Sequence, residues 1–329
     1  MRDQHQHHHH QHQQVNLPRG EQQPTPTAVP ATATRQQRQQ QQRQQQRQRQ
    51  VTQRFAVHAR AWQDFYQASD LSSRIYQRRH ARTLGLIDQL DLPAGSAALE
   101  VGPGAGYTTV ALARRGLKVT AIDATPALLE LTRRQVEAAD LPTPGPGQVG
   151  LLLGDTHQLP VADARFEVAV ALGVLPWLHT PAQAVAELAR VLRPGGHLVV
   201  SADNHARLTH WLDPLWNPAL RPVRQAVKAL LGATGRWRPR DHGVPATYHR
   251  LGEVDRLLTR AGLERRAGVT LGFGPLTLAG RPVLPKRIGQ RVDRRLQQLA
   301  DRGVPWLRSA GAHYLVIART PQPPSNPAG

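Results

Sequence analysis

The chain of 329 residues contains no cysteine. That excludes disulfide frameworks, cysteine-ligated zinc, iron–sulfur clusters and thiol nucleophiles. Long apolar runs are also missing, and no stretch approaches the roughly 18 residues that a membrane span needs. The N-terminus is rich in Gln and His and has no apolar segment of the secretory type, so the cytoplasm is the expected compartment. Aromatic residues make up only 5%, so the stacking platforms used on RNA would be few. Acids are scarce as well, 23 against 42 Lys and Arg, for a formal charge of +19. Such a field attracts nucleic acid, anionic lipid or acidic substrates. Arginine scattered over solvated surfaces gives the same number, so charge does not choose the function. Met1 is the sole methionine, which leaves open a native start at a later codon such as that of Val51.

The apolar content is 40%, enough for one sizeable core. Residues 1–53 form a low-complexity arm with a histidine cluster, His7 to His10, followed by Gln/Arg repeats. With almost nothing apolar to bury, this arm is expected to be disordered. Order is expected from about Phe55, with a helical pattern to Leu90 that buries Phe65, Leu71, Ile75, Tyr76, Leu84, Leu86 and Ile87. A strand–helix alternation follows. Strands are expected at 97–101, 117–122, 149–153, 167–172 and 196–201, and helices at 108–115, 126–139 and 182–192. Apolar strands alternating with amphipathic helices predict a mostly parallel sheet covered on both faces. Beyond Asp203 the rhythm breaks. A helix at 251–261 and late strands at 269–276 and 313–318 are expected, the strands flanking a basic segment at 286–308. The Pro-rich end, residues 321–329, is expected to fray. The ordered domain is therefore placed at 54–320.

The sharpest motif is Leu99-Glu100-Val101-Gly102-Pro103-Gly104-Ala105-Gly106, at the first strand-to-helix turn. Glycines there permit a tight bend and close approach of a ligand to the backbone. Tyr107 takes the place of the last glycine of a dinucleotide fingerprint. No Gly-Lys-Ser/Thr follows, which argues against a triphosphate loop. Glu100 inside the strand end would repel a pyrophosphate and suits a ligand with a cationic end. Asp123 closes the second strand at the offset where a carboxylate grips ribose hydroxyls. Together these residues describe an adenosine-type ligand with a positive group in place of phosphates.

On these residues the chain resembles the class I S-adenosylmethionine-dependent methyltransferases, of the broad group that modifies small molecules. Glu100 to Gly106 resembles the family's first motif. Val119-Thr120-Ala121-Ile122-Asp123 resembles its ribose-binding strand end, and Gly154-Asp155-Thr156-His157-Gln158-Leu159-Pro160 resembles the motif whose acid meets the adenine amino group. Phe166 to Leu175 resembles the fourth strand and the loop lining the methyl site, and Leu192-Arg193-Pro194-Gly195-Gly196 the turn into the fifth strand. The resemblance implies a Rossmann-like α/β fold: a seven-stranded, mostly parallel sheet with its last strand antiparallel. The implied cofactor is S-adenosyl-L-methionine, contacted by Glu100, Gly102, Gly104, Gly106, Tyr107, Asp123, Ala124, Asp155, Thr156 and Leu172. Glu167 departs from the family's usual Asp at a position expected to be structural.

Methyl transfer of this kind needs alignment, desolvation and sometimes a base, but no metal. His179, His210, His242 and His249 lie in segments able to face an acceptor, yet none is singled out as catalytic. Pro176 and Trp177 are expected beside the methyl site. The loop Gly173-Val174-Leu175-Pro176 lacks the Asn/Asp-Pro-Pro-Tyr arrangement used on base amines. Residues 205–250 are expected to form a lid or acceptor-site insertion. Its apolar face would comprise Trp211, Leu212, Leu215, Trp216, Leu220 and Val223, ringed by Arg207, Arg221, Arg224 and Lys228. That pattern suits an apolar, lipid-linked or saccharide-linked small-molecule acceptor, or contact with an anionic membrane surface. Two alternatives stay open at this point: an RNA methyltransferase, and a non-catalytic binding protein on the same fold.

Overall fold

Five short apolar runs, each too short for a helix and bounded by glycine or charge, become the parallel half of one sheet. The computed structural model describes residues 35–141, 147–234 and 244–322. His7 to His10 and His242 lie outside these residues. The strands are β1 (Ala97–Val101), β2 (Lys118–Asp123), β3 (Val149–Leu153), β4 (Phe166–Leu172), β5 (Leu192–Asp203), β6 (Glu264–Leu271) and β7 (His313–Arg319). Their order is β3-β2-β1-β4-β5-β7-β6, and only β7 runs antiparallel to its two neighbours. The Rossmann-like sheet read from the sequence is thus the one observed.

Ten helices are described: α1 (Arg35–Val57), α2 (Ala59–Gln67), α3 (Leu71–Asp88), α4 (Tyr107–Ala113), α5 (Pro126–Glu137), α6 (Pro181–Arg190), α7 (Leu208–Leu212), α8 (Arg221–Ala233), α9 (Leu251–Arg260) and α10 (Lys286–Asp301). Alternation along the strands builds a core on each face of the sheet. Leu99, Val101, Ala169, Ala171, Leu198 and Val200 pack toward Val185, Leu188, Val254 and Leu258 of α6 and α9. The intervening Ala98, Val168, Val170 and Val199 pack toward Ile87 and Leu112 of α3 and α4. Glu167 serves this frame. Its carboxylate accepts from Ala97 N at 2.7 Å and pairs with Arg193, fastening the starts of β1 and β4.

Two compact units divide the chain, Met1–Gln40 and Gln41–Gly329. Of the first, the opening turns of α1 are described, from Arg35. The expected disorder over 1–53 needs correction from Arg35 onward, because that stretch is helical. Gln and Arg are good helix formers, and the helix also gains a tertiary anchor. Val51 is buried, and Gln44 Nε2 donates to Thr180 Oγ1 at 3.2 Å. The single helical pattern expected from Phe55 to Leu90 divides into the end of α1, α2 and α3. Asp70 caps α3 by accepting from Ser73 N at 3.1 Å. Ile75 and Ile87 are buried as expected, Leu71, Tyr76, Leu84 and Leu86 are half-buried, and the side chain of Phe65 lies outside the described set.

The late strand expected at 269–276 begins earlier, at Glu264, and ends at Leu271, because its pairing with β7 runs from Arg319 back to His313. Within the expected insertion, α7 and α8 are joined by a 3-10 turn, Pro218–Leu220. The six apolar residues expected to form its face are all exposed, from Leu220 at 38% to Val223 at 60%. No described helix is long and apolar enough to cross a membrane.

Candidate active site

The carboxyl ends of β1, β2 and β4 open into one cleft of about 1150 Å³. In a parallel α/β sheet this is where ligands are received. Glu100, Gly102, Gly104, Asp123, Ala124, Asp155, Thr156 and Leu172, all expected there from the sequence, line it, as do Pro176 and Trp177. Gly106 and Tyr107 do not line it. Gly106 sits under the turn, where an added Cβ would stand 3.0 Å from Thr132 Cα, so it serves the packing of α4 on α5. Tyr107 turns toward α2. Its ring lies 5.1 Å from that of Tyr66, and its hydroxyl accepts from Gln67 Nε2 at 3.0 Å.

The bend itself depends on backbone freedom. Gly102 and Gly104 have φ of +68° and +59°, conformations that cost side-chain-bearing residues about 1–2 kcal/mol. A Cβ at Gly102 would meet Val174 Cγ2 at 2.7 Å, whereas one at Gly104 would meet nothing within 4 Å. Gly104 therefore presents bare backbone to open space.

Two acids flank the bend. Glu100 is 2% exposed and accepts a hydrogen bond from the Thr109 hydroxyl; burial pushes its carboxyl up to about 7. Asp123 is 8% exposed and accepts from Thr125 N at 2.8 Å, and burial pushes it up to about 6. Neither has an ion-pair partner among the described residues. Buried carboxylates left without a cation favour a ligand that brings positive charge or hydroxyl donors.

Asp155 differs. Burial raises it, but hydrogen bonds from the His157 ring and backbone, both to Oδ1, hold it below the ordinary carboxylate value. Thr180 N donates to His157 Nε2 at 3.3 Å, which assigns the proton to Nδ1, 2.6 Å from Asp155 Oδ1. His179 stacks on His157 with centroids 3.7 Å apart, and burial followed by the neighbouring His157 lowers it to about 4. These three residues bring possible ligand atoms within 4.8 Å of one another. Both His157 nitrogens are engaged, however, one by Asp155 and one by Thr180 N, so a metal ion would have to displace these hydrogen bonds.

Three contributions were not legible beforehand. The last turns of α1 line the cleft with Gln48, Val51, Thr52 and Phe55, and Phe55 meets the Trp177 ring edge-on at 5.1 Å. Its signal in the sequence is an i, i+4 apolar pair, Val51 and Phe55, in an otherwise polar run. Arg79 of α3 also faces the cleft. Asp203 lines both this cleft and a second chamber of about 910 Å³ whose wall includes His210, Trp216, Tyr248 and His313. His210, one of the histidines considered from the sequence, lines the second chamber; burial, then Arg207, lowers it to about 4. His249 is buried behind the end of β5, with its backbone N donating to Asp203 O at 2.8 Å.

Residues 99–200 match the model of the family described as "Methyltransferase domain". The stretch begins in β1 and ends in β5, so it contains the bend and all three acids of the cleft. That matched stretch is a methyltransferase domain. An uncharacterized methyltransferase of Mycobacterium tuberculosis is 38% identical over 144 residues, covering 43% of this chain and 55% of that protein. Demethylmenaquinone methyltransferase of Tropheryma whipplei is 29% identical over 223 residues, covering 65% of this chain and 84% of that one. The chain spans 35–55% of the length of the first curated relatives that it matches. Among solved structures, magnesium protoporphyrin IX methyltransferase from Synechocystis has a TM-score of 0.53 at 14% identity, covering 83% of this chain and 99% of that one. That likeness places the methyltransferase domain in a common fold.

Proposed function

We propose that the protein is an S-adenosylmethionine-dependent methyltransferase acting on a small-molecule acceptor, in the cytoplasm. The observation that carries this reading is the pair of buried, cation-free carboxylates, Glu100 and Asp123, on either side of a bare-backbone bend. Asp123 is assigned to the ribose hydroxyls and Glu100 to the region of the amino-acid ammonium. Asp155, whose Oδ2 accepts nothing from the described residues, is assigned to the adenine amino group, with Ala124, Thr156 and Leu172 beside it. When bound, S-adenosylmethionine supplies an electrophilic methyl carbon on a sulfonium. The chain's own residues hold, orient and dehydrate: α1 and Trp177 cover the cleft, and the second chamber receives the acceptor.

An apolar or lipid-linked acceptor agrees with the exposed side chains of α7 and α8, and with the quinone named for the Tropheryma relative. A screen with tritium-labelled cofactor against lipid, saccharide, small-phenol and RNA pools tests the reading. Label in a small-molecule pool supports it. Label confined to RNA, or no transfer by protein that binds the cofactor, overturns it.

A further inference from the structure

Arg79 is 3% exposed, yet its guanidinium makes no hydrogen bond to the described residues, and its Nε is buried without a partner. No carboxylate among them reaches it within the 4 Å of an ion pair. The Tyr76 ring packs against it, with its centroid 4.5 Å from Cζ. The group stands over Gly173 at the end of β4, where an added Cβ would be 3.1 Å from Nη1, and it lines the cleft. The nearby acid is already engaged: Asp203 takes His313 Nδ1 at 3.0 Å on Oδ1 and Arg207 Nη2 at 3.7 Å on Oδ2. Burial keeps His313 toward its neutral form. At this end of the cleft two guanidinium groups therefore face one carboxylate, whereas Glu100, Asp123 and Asp155 make the other end acidic.

A buried guanidinium left unpaired carries a desolvation cost that a bound anion offsets. A planar carboxylate fits its fork of N–H donors. Beyond Tyr76 and Asp203, which border both cavities, the second chamber is walled by His210, Trp216 and Tyr248. Aromatic walls suit a flat, apolar body. We propose that Arg79 is the anion subsite for the acceptor, which is an aromatic or polycyclic carboxylate whose acid group meets the guanidinium while its ring system occupies the second chamber. The proposal rests on the methyltransferase reading of the cleft.

The test is calorimetric, on the full chain saturated with S-adenosylhomocysteine, with 2-naphthoate and 2-naphthamide as probes. The acid is expected to bind about tenfold or more tighter than the amide, the size of a charge-assisted contact. In Arg79→Gln that preference should shrink to less than about twofold, and Arg79→Lys should keep part of it. Retained binding of S-adenosylhomocysteine shows that a variant is folded. If Arg79→Gln does not fold, the acid–amide comparison on the unaltered chain decides. Equal affinities, no saturable binding of the acid, or a preference indifferent to Arg79→Gln would overturn the proposal. A chain that binds naphthoate but not S-adenosylhomocysteine contradicts the cofactor reading instead, so the two failures are distinct.

Discussion

Phe55 meets Trp177 edge to face, ring centroids 5.1 Å apart, and so joins the last turns of α1 to the loop after β4. Arg54 adds a second contact, its Cζ 5.2 Å from the same ring. Such an aromatic pair contributes about 0.5–1.5 kcal/mol beyond the area that it buries. Phe55→Ala should therefore weaken S-adenosylhomocysteine binding several-fold and quicken tryptic cleavage at Arg47 and Arg49. Calorimetry and timed proteolysis read the two effects. Unchanged values for both would mean that α1 does not cover the site.

The two glycines of the bend should respond differently to alanine. At Gly102 the new Cβ has no room beside Val174, so strain adds to the left-handed backbone penalty and the domain should lose about 2–4 kcal/mol. Gly104→Ala meets no protein atom within 4 Å. It should cost only about 1–2 kcal/mol in stability, while placing a methyl group where the ligand approaches. Chemical denaturation combined with cofactor titration separates the two. A Gly104→Ala variant that keeps full affinity would place the ligand elsewhere.

Burial raises Glu100 from 4.5 to about 7 and Asp123 from 3.8 to about 6. Between about pH 4 and pH 7 the native state thus binds more protons than the unfolded chain. The stability from these two groups is full below their unfolded values and is lost as pH rises through the folded ones. A cationic ligand reverses the preference, because it binds the ionised carboxylates, so cofactor affinity should climb from pH 6 to pH 8. Melting curves at several pH values, with and without S-adenosylhomocysteine, measure both trends. Glu100→Gln should flatten them, and a stability that rises steadily over this window even in the free protein would count against the buried acids as its cause.

Asp123→Ala removes a buried acceptor from the hydroxyls assigned to it. Cofactor binding should weaken by about 1–3 kcal/mol, read by titration calorimetry. An unchanged dissociation constant would refute the ribose assignment.

The sheet and most of the cleft could be read in advance because local sequence carries them. Apolar runs of strand length, the glycine bend and the acids at two strand ends are all features of single short segments. What was missed depends on distance along the chain. Asp203 and His313 are 110 residues apart, and only the antiparallel register of β5 on β7 sets them side by side. Arg79 reaches Gly173 by the docking of α3 on the sheet, and nothing in the surrounding run of basic residues marks it. The place of Tyr107 in the motif predicts a ligand contact, but α2 supplies Tyr66 and Gln67 as its partners. The Gln/Arg-rich composition hid the helix α1, because two apolar side chains suffice to dock it.

Titration of the full-length protein with S-adenosylhomocysteine, beside the double variant Glu100→Gln, Asp123→Ala, tests the cofactor cleft most directly. The cleft described above predicts saturable binding at one site per chain and its loss in the double variant. No binding by the unaltered chain, or equal binding by both proteins, would contradict it.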